Sequence, residues 1–320
     1  EIVKGGLSGL ASTVLLQPFD LLKTRLQQRD GKVDIRYVIQ RHHYDRTSVL
    51  HVTRSVLASD GILGLWRGTV PSLFRNVPGV ALYMTSLTQI RTAMARSAYF
   101  VRAPLIFNGS ATGGNTSKSG SVLPKLSSQG NLLAGAFTRV AVGFLLNPFS
   151  VIKARFESNI YQSQYNSFPQ AVALIARSGP KELFKGFVPS AMRDAPYAGL
   201  FVATYESIKR HTSHLSGSSS VLSSTMVHTV SAGTAGAIAT LATHPFDVIK
   251  TKVQVRQEDR YHGLRRTVHT IWQQRGISGF FDGASLRVSR KVFSSAIGWA
   301  VYEGLLMVFH NNSNNNDQRL

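Results

Sequence analysis

Apolar and polar positions along this chain fall into six long segments arranged as three similar pairs. The first segment runs from about Ile2 to Arg29, the third from about Leu132 to Glu157 and the fifth from about Met226 to Arg256. Each is apolar and rich in Gly, Ala, Ser and Thr up to a proline (Pro18, Pro148 or Pro245) and turns polar beyond it. A proline inside a helical run bends or breaks it, because it lacks the N–H and its ring clashes with the preceding turn. Three kinked helices are therefore predicted. The even segments, roughly Val70 to Tyr99, Val188 to His211 and Gly283 to His310, read as uninterrupted long helices. Shorter amphipathic helices fit 48–59, with Val49, Val52, Val56 and Leu57 on one side, 168–177 and 264–274.

This divides the chain into repeats over 1–98, 130–212 and 225–310. A flexible Ser/Gly-rich loop over 99–129 and a Ser-rich linker over 213–224 join them, and an Asn-rich tail over 311–320 is expected to be disordered. Pro148 and Pro245 are 97 positions apart, too long a period for a solenoid and suited to the internal symmetry of transporters. No segment is a clean apolar twenty-mer. The small residues favour a membrane all the same, since they let helices approach closely where lipid supplies no hydrophobic drive. Gly5 and Gly9 stand four apart, as do Ala232 and Gly236. The fold class read from this pattern is an all-α membrane protein of six transmembrane helices in three pseudosymmetric repeats, with short helices between the spans.

Charge changes the picture next. Lys and Arg number 36 against 16 Asp and Glu, a net charge of +20, yet mean hydropathy is −0.01. Both hold only if charge is segregated into loops and helix ends. Such a balance calls for an anionic partner. A nucleic-acid binder would interleave aromatics with Lys and Arg on a soluble surface, whereas here the aromatics sit in apolar runs. No cysteine is present, which excludes disulfides and thiolate chemistry. No phosphate-binding glycine loop, metal-ligand cluster or nucleophile motif points to an enzyme. The loop pair His42-His43 lacks acidic or thiol company and is not read as a metal site.

The chemistry concentrates after the prolines. Positions +2, +5 and +9 lie on one helix face: Asp20, Lys23 and Gln27 in the first repeat, Ser150, Lys153 and Glu157 in the second, Asp247, Lys250 and Gln254 in the third. Inside the even segments, alignment on Pro78, Pro196 and Phe293 brings Arg75-Asn76, Arg193-Asp194 and Arg290-Lys291 into one ring. Arginine offers a planar fork for a carboxylate and Asp194 can hold an ammonium, so this pair suits a zwitterion such as an α-amino acid. Arg139, nine positions before Pro148, is a further candidate for the cavity wall.

Three copies of a Pro-x-Asp-x-x-Lys-x-Arg pattern, with Ser150 for the acid in the second and Lys252 for the arginine in the third, each followed by an aromatic-x-Gly turn that is basic in the first two and carries Asp282 in the third, resemble the signature of the mitochondrial carrier family across essentially the whole chain. The resemblance implies solute transport across the inner mitochondrial membrane by alternating access, by a monomer without cofactor or metal, its termini toward the intermembrane space. It implies a matrix gate in which Asp20 pairs with Lys153 and Asp247 with Lys23. Lys250 lacks its acid because Ser150 departs from the motif. Gln27 and Gln254 act as braces, with Glu157 in the third brace position. It implies a cytoplasmic gate drawn from Arg91, Glu206, Lys209 and Glu303, and substrate contacts at the Arg75, Arg193 and Arg290 level. Cardiolipin is implied at Trp66-Arg67-Gly68, Phe184-Lys185-Gly186 and Gly283, where amides at a helix start suit phosphate. Within the family, the segments around Pro18 and Pro148 resemble members that carry glycine, which implies glycine import feeding haem synthesis. The charge geometry alone leaves other small amino acids and anionic metabolites open.

Overall fold

The computed structural model of the chain describes residues 2–29, 49–97, 127–165, 167–215, 221–294 and 297. The first repeat comprises α1 (Ile2–Leu15), α2 (Gln17–Gln27), α3 (Val49–Asp60) and α4 (Thr69–Ala95). The second comprises α5 (Ser128–Leu145), α6 (Asn147–Glu157), α7 (Phe168–Arg177), the single turn α8 (Pro180–Leu183) and α9 (Phe187–Leu215). The third comprises α10 (Val221–Ala242), α11 (His244–Val255), α12 (Leu264–Arg275) and a final helix, α13, described over 284–294. No strand occurs among the described residues.

The odd segments break at Leu16, Leu146 and Thr243, two residues before each proline, and the α5–α6 bend measures 65°. Each proline thereby sits at the start of a new helix, where its missing N–H would have no intrahelical partner anyway. The even helices α4 and α9 instead continue through Pro78 and Pro196. The two inter-repeat boundaries are tighter than the sequence suggests. Ser127 Oγ accepts from the Gly130 amide at 3.1 Å and starts α5 inside the expected loop, and α9 and α10 reach into the expected 213–224 linker from both sides. The basic segment that holds His42-His43 and the Asn-rich tail lie outside the described residues.

The post-proline helices α2, α6 and α11 touch one another pairwise and so meet around one axis. Each short helix packs beneath them. Val52 and Val56 of α3 are buried against Leu21, Leu22 and Leu26, together with Leu286 of the third repeat. Ala171 and Ile175 of α7 close on Ile152 and Ala154, with Val255 again from the third repeat, and Ile271 of α12 closes on Val248, Ile249 and Val253. Full burial of such a side chain is worth about 1.5–3 kcal/mol. Leu57, expected on the buried side of α3, is 40% exposed, because one partner helix covers only a narrow stripe of so short an element.

The packing is polar inside and apolar outside. Gln17, Glu157, His244, Asp247, Lys252 and Gln254 are almost fully buried, while Leu15, Phe74, Phe137, Leu145 and Val188 stand more than half exposed. Exposed apolar surface on this scale marks a lipid or partner contact. Among the described residues no single helix is both long and apolar enough to cross a membrane; the bent pair α5–α6 passes on length and composition.

Candidate functional site

A cavity of about 310 Å³ opens inside the bundle above the α2, α6 and α11 axis. Nine lysines and arginines line it against four carboxylates, so it favours a solute that carries a carboxylate. Of the candidate contacts, Arg75, Arg139, Arg193, Asp194, Arg290 and Lys291 are on its wall. Asn76 is not: its Nδ2 donates to Thr13 Oγ1 at 2.9 Å, fastening α4 to α1.

The cavity floor is a ring of charge. Lys153 Nζ lies 2.5 Å from Asp20 Oδ2, and Lys23 pairs with Asp247. Lys250 makes no ion pair or hydrogen bond among the described residues, since its symmetry partner is Ser150. Three arginines of the even helices come down onto the same ring. Arg193 Nη1 donates to Asp247 Oδ1 at 2.8 Å, Arg290 pairs with Asp20, and Arg75 Nε donates to Ser150 Oγ at 2.9 Å. Arg193 also grips its neighbour Asp194 through Nε at 2.7 Å and Nη2 at 3.1 Å. The Arg-Asp pair is thus closed on itself and tied to the floor. Arg139 stands over the Tyr83 ring at 5.4 Å and Lys291 over that of Tyr197 at 5.4 Å.

Below this ring lies a second one, and most of it is illegible in the sequence. Thr251 Oγ1 donates to Gln27 Oε1 at 2.6 Å, and Thr24 Oγ1 to Glu157 Oε2 at 2.7 Å. Position +6 of one repeat thereby meets +9 of the next. The third copy would join position 154 to Gln254, but residue 154 is alanine, and Gln254 Nε2 turns to the Lys185 carbonyl at 3.2 Å. The +7 cations cross the same seams: Arg25 Nε donates to the Glu157 carbonyl at 3.3 Å, Arg155 Nε to that of Gln254 at 3.1 Å, and Lys252 Nζ to that of Arg29 at 2.5 Å. Both departures from threefold bonding, at Ser150 and Ala154, therefore fall on one seam, between α6 and α11.

The residue before each proline was also missed, and its signal is position rather than type. Gln17 Nε2 donates to the Arg67 carbonyl at 3.2 Å, Asn147 Nδ2 to that of Lys185 at 3.2 Å, and His244 Nε2 lies 3.0 Å from that of Asp282. A carbonyl only accepts, so Nε2 of His244 carries its proton. Each carbonyl immediately precedes the glycine that starts an even helix.

These turns use their charges inward. Arg67 donates to the carbonyls of Phe156, Gln162 and Tyr165 at 3.1, 3.2 and 3.3 Å, and Lys185 Nζ lies 2.5 Å from Glu182. Trp66 Nε1 donates to the Val14 carbonyl at 2.9 Å, and Phe184 stacks on Phe144 at 4.6 Å. Burial raises the carboxyl pKa of Glu182, but hydrogen bonds from Lys185 and Arg155 outweigh it and hold the group below 4.5. Asp282 is instead pushed above 3.8 by burial, against the pull of Arg275.

At the opposite end, Arg91 Nη2 donates to Asn131 Oδ1 at 2.7 Å, joining α4 to α5. Glu206 is exposed on α9. The side chain of Lys209 and the whole of Glu303 lie outside the described residues.

Among known proteins, a family model described as mitochondrial carrier protein matches residues 1–98, 124–216 and 222–313. A mitochondrial glycine transporter of Laccaria bicolor is 62% identical, with 96% of each chain covered. Proteins of the same name from Mycosarcoma maydis and Aspergillus niger are 40% and 42% identical, over 93% and 95% of this chain and 82% and 88% of theirs.

Proposed function

The chain belongs to the mitochondrial carrier family, and from that premise we propose that it imports glycine into the mitochondrial matrix by alternating access through the central cavity. The observation that carries the reading is the cavity wall itself. Its cationic excess suits a carboxylate, Asp194 suits an ammonium, and the 310 Å³ volume suits a small solute. The name shared by the relatives supplies glycine as the solute that meets all three conditions.

In this state the floor is closed. Asp20 with Lys153 and Asp247 with Lys23 tie α2 to α6 and α11 to α2. Passage requires these pairs to part and the opposite end to close, a rearrangement between two packed arrangements of the same helices. Transport makes and breaks no covalent bond, so nothing in the site needs to act as a catalyst. The floor is assigned to the matrix side of the inner membrane, since the basic loops of the repeats follow the post-proline helices in sequence and basic loops face the more negative compartment. Arg91, Glu206, Lys209 and Glu303 are assigned to the cytoplasmic gate, and the termini to the intermembrane space. The helix starts after Gly68, Gly186 and Gly283 are assigned to cardiolipin phosphate through their amides, and the protein is taken to work as a monomer.

The test is uptake of labelled glycine into liposomes holding the purified protein, beside Arg193→Ala and Asp194→Ala. Saturable uptake in the parent and its loss in both variants is expected. A folded parent protein that takes up other amino acids but no glycine would overturn the solute and leave the carrier reading intact.

A further inference from the structure

Two carboxylates on the cavity floor are each held by a lysine and an arginine from matching positions, Asp247 having Arg287 at 3.9 Å besides. Asp20 receives Lys153 and Arg290; Asp247 receives Lys23 and Arg193. In both, the lysine comes from position +5 of the repeat that follows in the cycle, and the arginine from the even helix of the repeat that precedes. The third station has both cations in the matching positions. Lys250 belongs to the following repeat and Arg75 to the preceding one, and both line the cavity. Only the acid differs: it is Ser150, whose hydroxyl accepts from Arg75 Nε at 2.9 Å while Lys250 has no bonded partner among the described residues.

We infer that Arg75, Ser150 and Lys250 form the subsite for the substrate carboxylate, which takes the place that a side-chain acid holds in the other two repeats. This rests on the amino-acid carrier reading above and names the subsite within it. A lysine and an arginine lining one membrane-embedded cavity are costly without a counter-charge. The filled stations show which anion this geometry takes, since each holds one carboxylate between a lysine and an arginine from these two positions. Arg75 has guanidinium donors beyond the one spent on Ser150, and a carboxylate can accept from it and from Lys250 together. Asp194 lines the same cavity as Lys250 and offers an anion for the ammonium of a short amino acid. The bound substrate would then complete the ring, and a tethered carboxylate at the same point would exclude it.

Ser150→Asp supplies that tether. In detergent, Ser150→Asp is expected to melt higher than the parent protein. Glycine, and not glycinamide (which lacks the carboxylate), is expected to raise the melting temperature of the parent and to leave that of Ser150→Asp unmoved. In liposomes Ser150→Asp should lose glycine uptake by about tenfold or more, and Lys250→Gln should raise KM for glycine by about tenfold, the loss of one charge-assisted hydrogen bond. A Ser150→Asp protein that melts no higher than the parent, or that transports glycine with the parental KM, overturns the subsite. If the parent itself takes up no glycine, the proposed solute falls, and the melting temperature of Ser150→Asp still decides whether the station is built for a carboxylate.

Discussion

Gln17 and Glu157 stand 140 positions apart and meet at 2.9 Å, Gln17 Nε2 donating to Glu157 Oε1. Glu157 is 2% exposed and also takes the Thr24 hydroxyl, so one buried carboxylate fastens the second repeat onto α2, the post-proline half of the first repeat's kink, at two points. Glu157→Ala is expected to cost about 1.5–3 kcal/mol, the range for hydrogen bonds to a charged group. Glu157→Gln keeps an acceptor for Thr24 and should lose less. Thermal unfolding in detergent reads the difference, and equal losses in the two variants would mean that the charge carries all of it.

Gly186 has φ +75°, and a Cβ there would lie 2.7 Å from Gln254 Cγ. Gly186→Ala therefore meets both left-handed backbone strain, about 1–2 kcal/mol, and a clash with the brace. Gly199 is an internal reference, since a Cβ there meets nothing within 4 Å in the middle of α9. Gly199→Ala should be neutral or stabilising by up to about 1 kcal/mol. Melting temperatures of the two variants should move apart; a common shift would remove the packing role given to Gly186.

Ala154 occupies the one +6 position without a hydroxyl, opposite Gln254. Ala154→Thr is expected to add the bond that Thr24 and Thr251 make in the other repeats, stabilising the closed floor by about 1 kcal/mol. Its measurable signature is a higher melting temperature together with slower uptake. A higher melting temperature with unchanged turnover would separate the brace from the gate.

Glu182 supplies a pH test away from the spans. Its pKa is held below the ordinary 4.5 by Lys185 and Arg155, in spite of burial. The folded state therefore favours the ionised group, so its contribution is present above pH 4.5 and is lost as the pH falls further. Glu182→Gln should melt lower than the parent near pH 7, and the gap should close below pH 4.5. A gap that is constant with pH would show that the side chain acts by packing alone.

The repeats, the three breaks and the partners of Asp20 and Asp247 were legible because each is written locally, by a proline and by charges at fixed offsets from it. The resemblance to a family supplied which repeat faces which. What stayed illegible depends on how the repeats turn against one another. Asn76 sits beside a cavity arginine in sequence and binds Thr13 instead. Arg193, read as a free fork for substrate, is already engaged by Asp194 and by Asp247 from the next repeat. Arg67 and Lys185, in the turns given to cardiolipin, spend their charges on carbonyls and a carboxylate of the protein. The roles of Gln17, Asn147 and His244 could have been suspected from position alone, since three different polar residues precede the three prolines. Their shared target, a carbonyl at the mouth of an even helix, exists only once the chain has folded back.

The three glycines at the even-helix starts also bear on how the chain is made. Gly68 is approached by Glu157, Gly186 by Gln254 and Gly283 by Gln27, so each notch admits a side chain from the repeat next in the cycle. During synthesis the first notch stays empty until the second repeat emerges, and the second until the third. The last is filled only when the end of the chain returns to its beginning. A nascent chain of one or two repeats thus carries an open notch and an unseated polar side chain toward its unmade neighbour, which makes assembly a ring closure that the final repeat completes.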